Sequence, residues 1–190
     1  MPVTDGFFVT GGATWDTFRG DSLTRGQTES APYFAVGIGF APIPQIAALM
    51  SGGGAHFRQG QASRYEVGEL DLGLRAHFAR EDARLVPYAE YAFTWTIVRR
   101  DTAATNRDPE AGTYERRPDI SGNGNAVGGG LLFYLRPNWA LDAGTRWTWA
   151  RLMALKPGSV GRPDLALNAT AFRVFLGVTM YGGKETLPSR

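Results

Sequence analysis

The sequence predicts an all-β fold: an eight-stranded antiparallel up-and-down transmembrane β-barrel with long loops at one rim and short turns at the other. Three observations carry this expectation. Apolar and polar residues alternate with period two in eight successive segments, the mark of strands with one apolar face. The connections between these segments are long and short by turns. The polar face mixes Gly, Ala and Thr with charges of both signs, which suits a cramped interior better than a wet exterior.

The first segment, Gly6–Phe18, sets Phe7, Val9, Ala13 and Trp15 against Thr10, Gly12, Thr14 and Asp16. The second, Ala31–Ala41, sets Phe34, Val36, Ile38 and Phe40 against Ala35, Gly37 and Gly39. The third, Gln45–Phe57, is the least regular, because Ser51–Gly54 blurs its register. The fourth, Tyr65–Ala79, is the clearest. Leu70, Leu72, Leu74, Ala76 and Phe78 share one face, and Glu69, Asp71, Gly73, Arg75 and His77 share the other. A helix would scatter both sets around its axis.

In the fifth, Leu85–Arg99, Ala89, Tyr91, Phe93, Trp95 and Ile97 oppose Tyr88, Glu90, Ala92, Thr94 and Thr96. Pro87 lies near its start, where a missing amide is tolerated. The sixth, Gly124–Leu135, sets Val127, Leu131, Phe133 and Leu135 against Ala126, Gly128, Gly130 and Tyr134, with Leu132 an exception. The seventh, Trp139–Met153, sets Leu141, Ala143, Thr145, Trp147 and Trp149 against Asp142, Gly144, Arg146 and Thr148. The eighth, Ala166–Tyr181, sets Phe172, Val174, Leu176, Val178 and Met180 against Ala171, Arg173, Gly177 and Thr179, with Phe175 an exception.

The intervening stretches are Arg19–Ser30, Pro42–Pro44, Arg58–Arg64, Arg80–Arg84, Arg100–Asn123, Arg136–Asn138 and Ala154–Leu165. They alternate long and short throughout. In an up-and-down barrel every second connection lies at the same end, so one rim receives the long loops, as in outer-membrane barrels. Both termini then fall at the short-turn rim. The expected organisation is one barrel domain over 1–181 and a flexible tail, Gly182–Arg190.

Composition narrows the function classes. Of 190 residues, 43% are hydrophobic and 12% aromatic, which opposes disorder. The chain has no cysteine, which removes disulfides, thiol catalysis and cysteine metal sites. The 20 basic residues include only two lysines, Lys156 and Lys184, and net charge is +2. No basic block resembles a nucleic-acid patch, so no nucleic-acid partner is expected. No apolar run nears the ~20 residues of a membrane helix. No signal peptide precedes the first segment, so an exported protein would be represented here by its mature chain, with the signal removed.

Alternation alone also fits a soluble lipocalin-like barrel with its apolar face inward. The polar face favours the membrane. It places Asp16, Glu69, Asp71, Glu90 and Asp142 opposite Arg75, Arg146 and Arg173. Inside a narrow lumen these eight must form a paired network, because isolated buried charges are too costly. The other face would meet lipid, with Trp15, Phe93, Trp95, Phe133, Trp147, Trp149 and Phe172 as lipid-facing or interfacial aromatics. Trp15, Trp95, Trp147, Trp149 and Tyr181 are read as lying towards strand ends, where such girdles belong.

Pro87-Tyr88-Ala89-Glu90-Tyr91-Ala92 and Trp139-Ala140-Leu141-Asp142-Ala143-Gly144-Thr145-Arg146-Trp147 resemble the fifth and seventh strands of the small outer-membrane barrel family that includes the OmpA transmembrane domain and OmpX. Phe172–Tyr181 resembles its terminal strand, read by the barrel-assembly machinery. The resemblance spans about Gly6 to Tyr181. It implies location in the bacterial outer membrane and a filled eight-stranded barrel. The residues Gly182–Arg190 depart from the pattern, since barrel-only members end on an aromatic.

Motifs for chemistry are weak. Gly122-Asn123-Gly124-Asn125-Ala126-Val127-Gly128 is glycine-rich, but a phosphate cradle needs a strand before it and a helix after it. A loop-to-strand transition is expected instead. Gly12-Ala13-Thr14-Trp15 is one residue too long for the lipocalin Gly-x-Trp. His77 shares a face with Glu69 and Asp71, and is expected in the lumen ion-pair network rather than on a metal. Ser51 and His56 fall on opposite faces, so no nucleophile–base pair forms. The chain is therefore expected to be non-enzymatic, with no cofactor and no metal. Expected partners are outer-membrane lipid and lipopolysaccharide, reached through Arg99, Arg100, Arg107, Arg116 and Arg117, or a protein held by the long loops. A narrow channel or lateral conduit for small apolar solutes is the alternative, and a soluble ligand-binding barrel a further one.

Overall fold

Residues 5–20, 27–59, 63–78, 83–101, 120–154 and 166–182 are described by the structure, a computed structural model of the chain. Eight strands follow in order: β1 (Gly6–Gly20), β2 (Glu29–Ile43), β3 (Ile46–Gln59), β4 (Ser63–His77), β5 (Leu85–Asp101), β6 (Ile120–Arg136), β7 (Trp139–Ala154) and β8 (Ala166–Tyr181). Each is antiparallel to the next, and β8 pairs with β1, so the sheet closes on itself. Closure removes the unpaired strand edges that would otherwise expose backbone donors and acceptors. The Gly182 N–H donates to the Phe7 carbonyl at 2.7 Å, carrying the closing ladder one residue past β8.

The alternation seen in the sequence becomes an inside and an outside. Phe7, Phe34, Val36 and Leu72 are 65–72% exposed. Asp16, Thr94, Leu132 and Asp142 are fully enclosed. The apolar face therefore points outward, opposite to a lipocalin-like barrel, and an apolar outer wall is the arrangement that lipid selects.

Strand ends differ from expectation. β2, β3, β5 and β6 run two to four residues further at the long-loop rim, because polar side chains do not end a backbone ladder. Arg58 pairs with Arg64 and Gln59 with Ser63. Arg100 pairs with Tyr65 and Asp101 with Arg64, so Arg100 belongs to β5 and not to a loop. The strict long–short alternation fails as a result. The β3–β4 connection shortens to residues 60–62, while β4–β5 takes residues 78–84. The glycine-rich stretch from Gly122 lies wholly within β6, with Gly122 paired to Leu152 and to Thr96. Residues Gly183–Arg190 of the expected tail lie outside the described residues.

The interior has three layers. At the long-loop rim, Phe18, Phe57 and Tyr65 pack with Val67, Val98 and Leu152, the Phe57 and Tyr65 rings stacking at 5.2 Å. At the short-turn rim, Phe8, Leu49, Val86, Leu132, Tyr134 and Tyr181 form a second plug, with the Tyr134 and Tyr181 rings stacked at 6.0 Å. The charged residues fill the layer between. Leu132 and Phe175, the two exceptions to the pattern, are thus lumen residues that help to fill the short-turn plug. Tyr181 is a correction too: it faces the lumen at 3% exposure and belongs to no outer girdle. Trp147 lies in the middle of β7 rather than towards its end.

Interior space is tight enough to test. A Cβ on Gly144 would stand 2.7 Å from the Gly129 carbonyl oxygen and 2.8 Å from the Phe175 ring. Gly144→Val should lower stability by about 1–3 kcal/mol through overpacking. Gly52→Ala, whose Cβ would meet its nearest atom at 3.5 Å, should change stability by less than about 0.5 kcal/mol. Urea unfolding in detergent micelles, followed by tryptophan fluorescence, reads both; equal midpoints for the two variants would contradict this packing.

Candidate functional site

The charged layer gathers all eight residues that the sequence assigns to a lumen network, from five strands. Strand pairing delivers two of its bridges directly. Asp16 on β1 is the register partner of Arg173 on β8, and Arg75 on β4 is the partner of Glu90 on β5. Arg173 Nη2 lies 3.1 Å from Asp16 Oδ2 and 2.9 Å from Glu69 Oε2 across the lumen. Arg75 holds Glu90 Oε2 at 3.0 Å and Asp142 Oδ2 at 3.1 Å. Arg146 sits 2.9 Å from Asp71 Oδ1 and 3.7 Å from Glu90 Oε1. All five carboxylates therefore meet an arginine, and Arg75 and Arg173 each bridge two strands beyond their own.

Hydroxyls complete the carboxylate shells. Thr94 donates to Asp71 Oδ1 at 2.8 Å and Ser51 to Asp71 Oδ2 at 3.2 Å. Tyr88 donates to Asp142 Oδ1 at 2.7 Å. Buried ion pairs survive when their remaining lone pairs are met in this way. Two tyrosines also cover the guanidinium faces: Arg75 lies 4.0 Å from the Tyr88 ring centroid and Arg173 lies 3.8 Å from that of Tyr33, a cation–π arrangement suited to arginine. Charge reading of the sequence missed Tyr33, Tyr88, Ser51 and Thr94 in this role. For Tyr88 and Thr94 the signal was available, because both share the polar face of β5 with Glu90, whereas Tyr33 and Ser51 lie on strands that carry none of the eight charges.

Arg146 and Arg173 are direct register partners across β7 and β8. Like charges opposite one another are destabilising in a sheet. Here Asp16 from the neighbouring strand, and Glu69 and Asp71 from across the lumen, offset the repulsion. The Nε atoms of Arg146 and Arg173 donate to no protein acceptor among the described residues. Both arginines line a residual cavity of about 70 Å³ that extends from the charged layer to Gly11 and Val36 of the wall, room for roughly two water molecules.

His77 departs from expectation. It is buried in the lumen, but its Nδ1 lies 3.0 Å from the Pro44 carbonyl and its ring stands edge-on to Tyr88. It braces the β2–β3 turn, and no ion pair to it is formed among the described residues. Ser51 faces the lumen, whereas His56 points outward and lies 3.1 Å from Glu66. The two do not converge.

The seven aromatics assigned to the outer wall all point outward, from Phe172 at 39% exposure to Trp15 at 57%. Trp147 and Phe172 are register partners with ring centroids 6.3 Å apart. Of the five arginines assigned to lipid or partner contact, Arg99 is exposed near the end of β5 and Arg100 follows it in the ladder. Arg107, Arg116 and Arg117 lie outside the described residues.

No protein-family model matches the chain, and no curated protein sequence matches it. Solved structures do. Neisserial surface protein A (NspA) is similar with a TM-score of 0.70 at 15% identity, covering 93% of this chain and 97% of that one. The outer membrane protein AlkL, solved in DMPC lipid bilayers, is similar with a TM-score of 0.56 at 16% identity, covering 100% and 96%. Ail, the attachment invasion locus protein of Yersinia pestis, gives 0.52 at 13% identity, covering 93% and 99%. The fold is that of the small eight-stranded outer-membrane β-barrels.

Because Arg173 serves two acids, its loss should be felt twice. Arg173→Leu leaves Asp16 and Glu69 without a cation and should cost about 3–5 kcal/mol. Adding Asp16→Asn and Glu69→Gln to that variant should recover more than half of the loss, since the two carboxylates that lost their cation are then neutral. Urea midpoints of the three-residue cycle measure this; a triple variant no better than Arg173→Leu alone would show that the arginine acts by packing rather than by pairing.

Proposed function

We propose that the protein is a non-enzymatic barrel of the bacterial outer membrane that acts as a filled anchor. It would contribute to the envelope through its wall and hold lipopolysaccharide or a protein partner through the long-loop rim. One observation carries this reading: the interior is occupied along its whole length by an apolar plug, an ion-paired layer and a second apolar plug. A general pore needs a continuous wet path, and eight strands leave an interior that side chains can fill. The outward apolar wall supports insertion in lipid, and the shared fold supports the outer membrane as the place. The lumen network is structural on this reading, and the outward aromatics meet lipid.

The lumen gives a conduit little room: the residual space beside the charged layer, which reaches Gly11 and Val36 of the wall, is about 70 Å³.

Expression with an export signal should place the protein in the outer-membrane fraction, with a gel mobility that shifts on heating. In planar bilayers the folded barrel should give no sustained current, and liposomes containing it should take up small apolar solutes no faster than empty ones. Recovery as a detergent-free monomer would overturn the membrane reading. Solute uptake by an intact, heat-modifiable barrel would replace the anchor with the conduit.

A further inference from the structure

The outer wall is mostly apolar, and at one place two missing side chains face each other. Gly54 on β3 and Gly68 on β4 are direct register partners and both point outward. Phe34 flanks Gly54 from β2, and Ile97 flanks Gly68 from β5. Two side chains are thus missing between two large ones, leaving an open notch of about 320 Å³ on the wall. Its upper edge, towards the long-loop rim, is the polar row of His56, Glu66 and Arg99. Glu66 is engaged by His56 Nδ1 at 3.1 Å. Arg99 is exposed and has no partner among the described residues.

We propose that this notch seats an acyl chain of a phosphate-bearing glycolipid of the lipid A class, with the phosphate held by Arg99. The inference rests on the outer-membrane reading, which turns the long-loop rim towards the leaflet that carries such lipids. An apolar slot with a backbone floor suits a hydrocarbon chain. An unpaired guanidinium at its mouth suits a phosphate, which arginine binds through two parallel N–H donors. A second copy of the chain is the poorer occupant: the one acid in this row, Glu66, is already held by His56, so a facing copy would leave Arg99 unmatched.

Gly68 gives a clean variant. A Cβ there would meet its nearest atom at 3.9 Å, so Gly68→Leu fills the notch without straining the wall. Native mass spectrometry of the detergent-purified chain would compare lipid A, lipid A stripped of phosphate, and phosphatidylcholine. The wild type should retain one lipid A and prefer it over both others. Gly68→Leu should lose at least about tenfold in affinity through the excluded methylenes. Arg99→Gln should lose about tenfold for lipid A and almost nothing for the stripped form, the loss of a charge-assisted bond. Heat-modifiable mobility confirms that each variant is folded, and Gly68→Val serves in place of the leucine if that one is not. Full lipid A binding by a folded filled-notch variant, equal retention of phosphatidylcholine, or dimers that the filled notch abolishes would each overturn the proposal. A barrel that fractionates with the outer membrane but shows no lipid preference sinks this inference alone; one that does not fractionate there sinks the reading beneath it.

Discussion

Three arginines and five carboxylates share a tube too narrow for bulk water, and the rest of the structure has to make that arrangement possible. Each arginine contacts two acids, so the eight groups act as a unit rather than as a set of pairs. Such a unit tolerates no slip. A shift of one residue between strands would turn every side chain to the opposite face, sending Arg75 or Asp142 into the outer wall and Leu74 or Leu141 into the lumen. The charges thus specify the register that the apolar wall alone would specify less sharply, because Leu, Val and Phe are interchangeable against lipid and a bridging guanidinium is not.

The apolar plugs at either end serve the same network. They keep bulk water from both mouths, and in a drier layer each ion pair and hydroxyl contact is stronger. The same exclusion makes the layer unforgiving of an unpaired group, which is why Ser51, Thr94, Tyr88 and Tyr33 are found around it. On the anchor reading proposed above, what meets other molecules is the wall and the long-loop rim.

Much of this was legible in the sequence, for a physical reason: a period-two pattern maps directly onto two faces. All eight strands and all eight lumen charges followed from it. What escaped were features that the rule of polar inside, apolar outside does not contain. Leu132, Phe175 and Tyr181 looked like breaks or girdle residues because the rule has no place for an apolar lumen plug. Arg58, Arg64 and Arg100 looked like loop residues because charge was taken to end a strand, whereas the backbone ladder continues wherever its amides find partners. The pairing of Glu66 with His56, and the missing side chains at Gly54 and Gly68, depended on register, which a single strand's pattern cannot supply.

The closing ladder between β1 and β8 joins the two ends of the chain. Asp16 and Arg173 meet there and nowhere else, and contacts so distant in sequence are slow to form. Until they form, the sheet is open, Asp16 lacks its neighbouring cation, and Arg173 sits on an unpaired edge. An open sheet of this sequence would carry stranded charges into any apolar surroundings it entered. The bridge between the first strand and the last is therefore also the one that closes the sheet, so that completion of the ladder and pairing of its charges coincide.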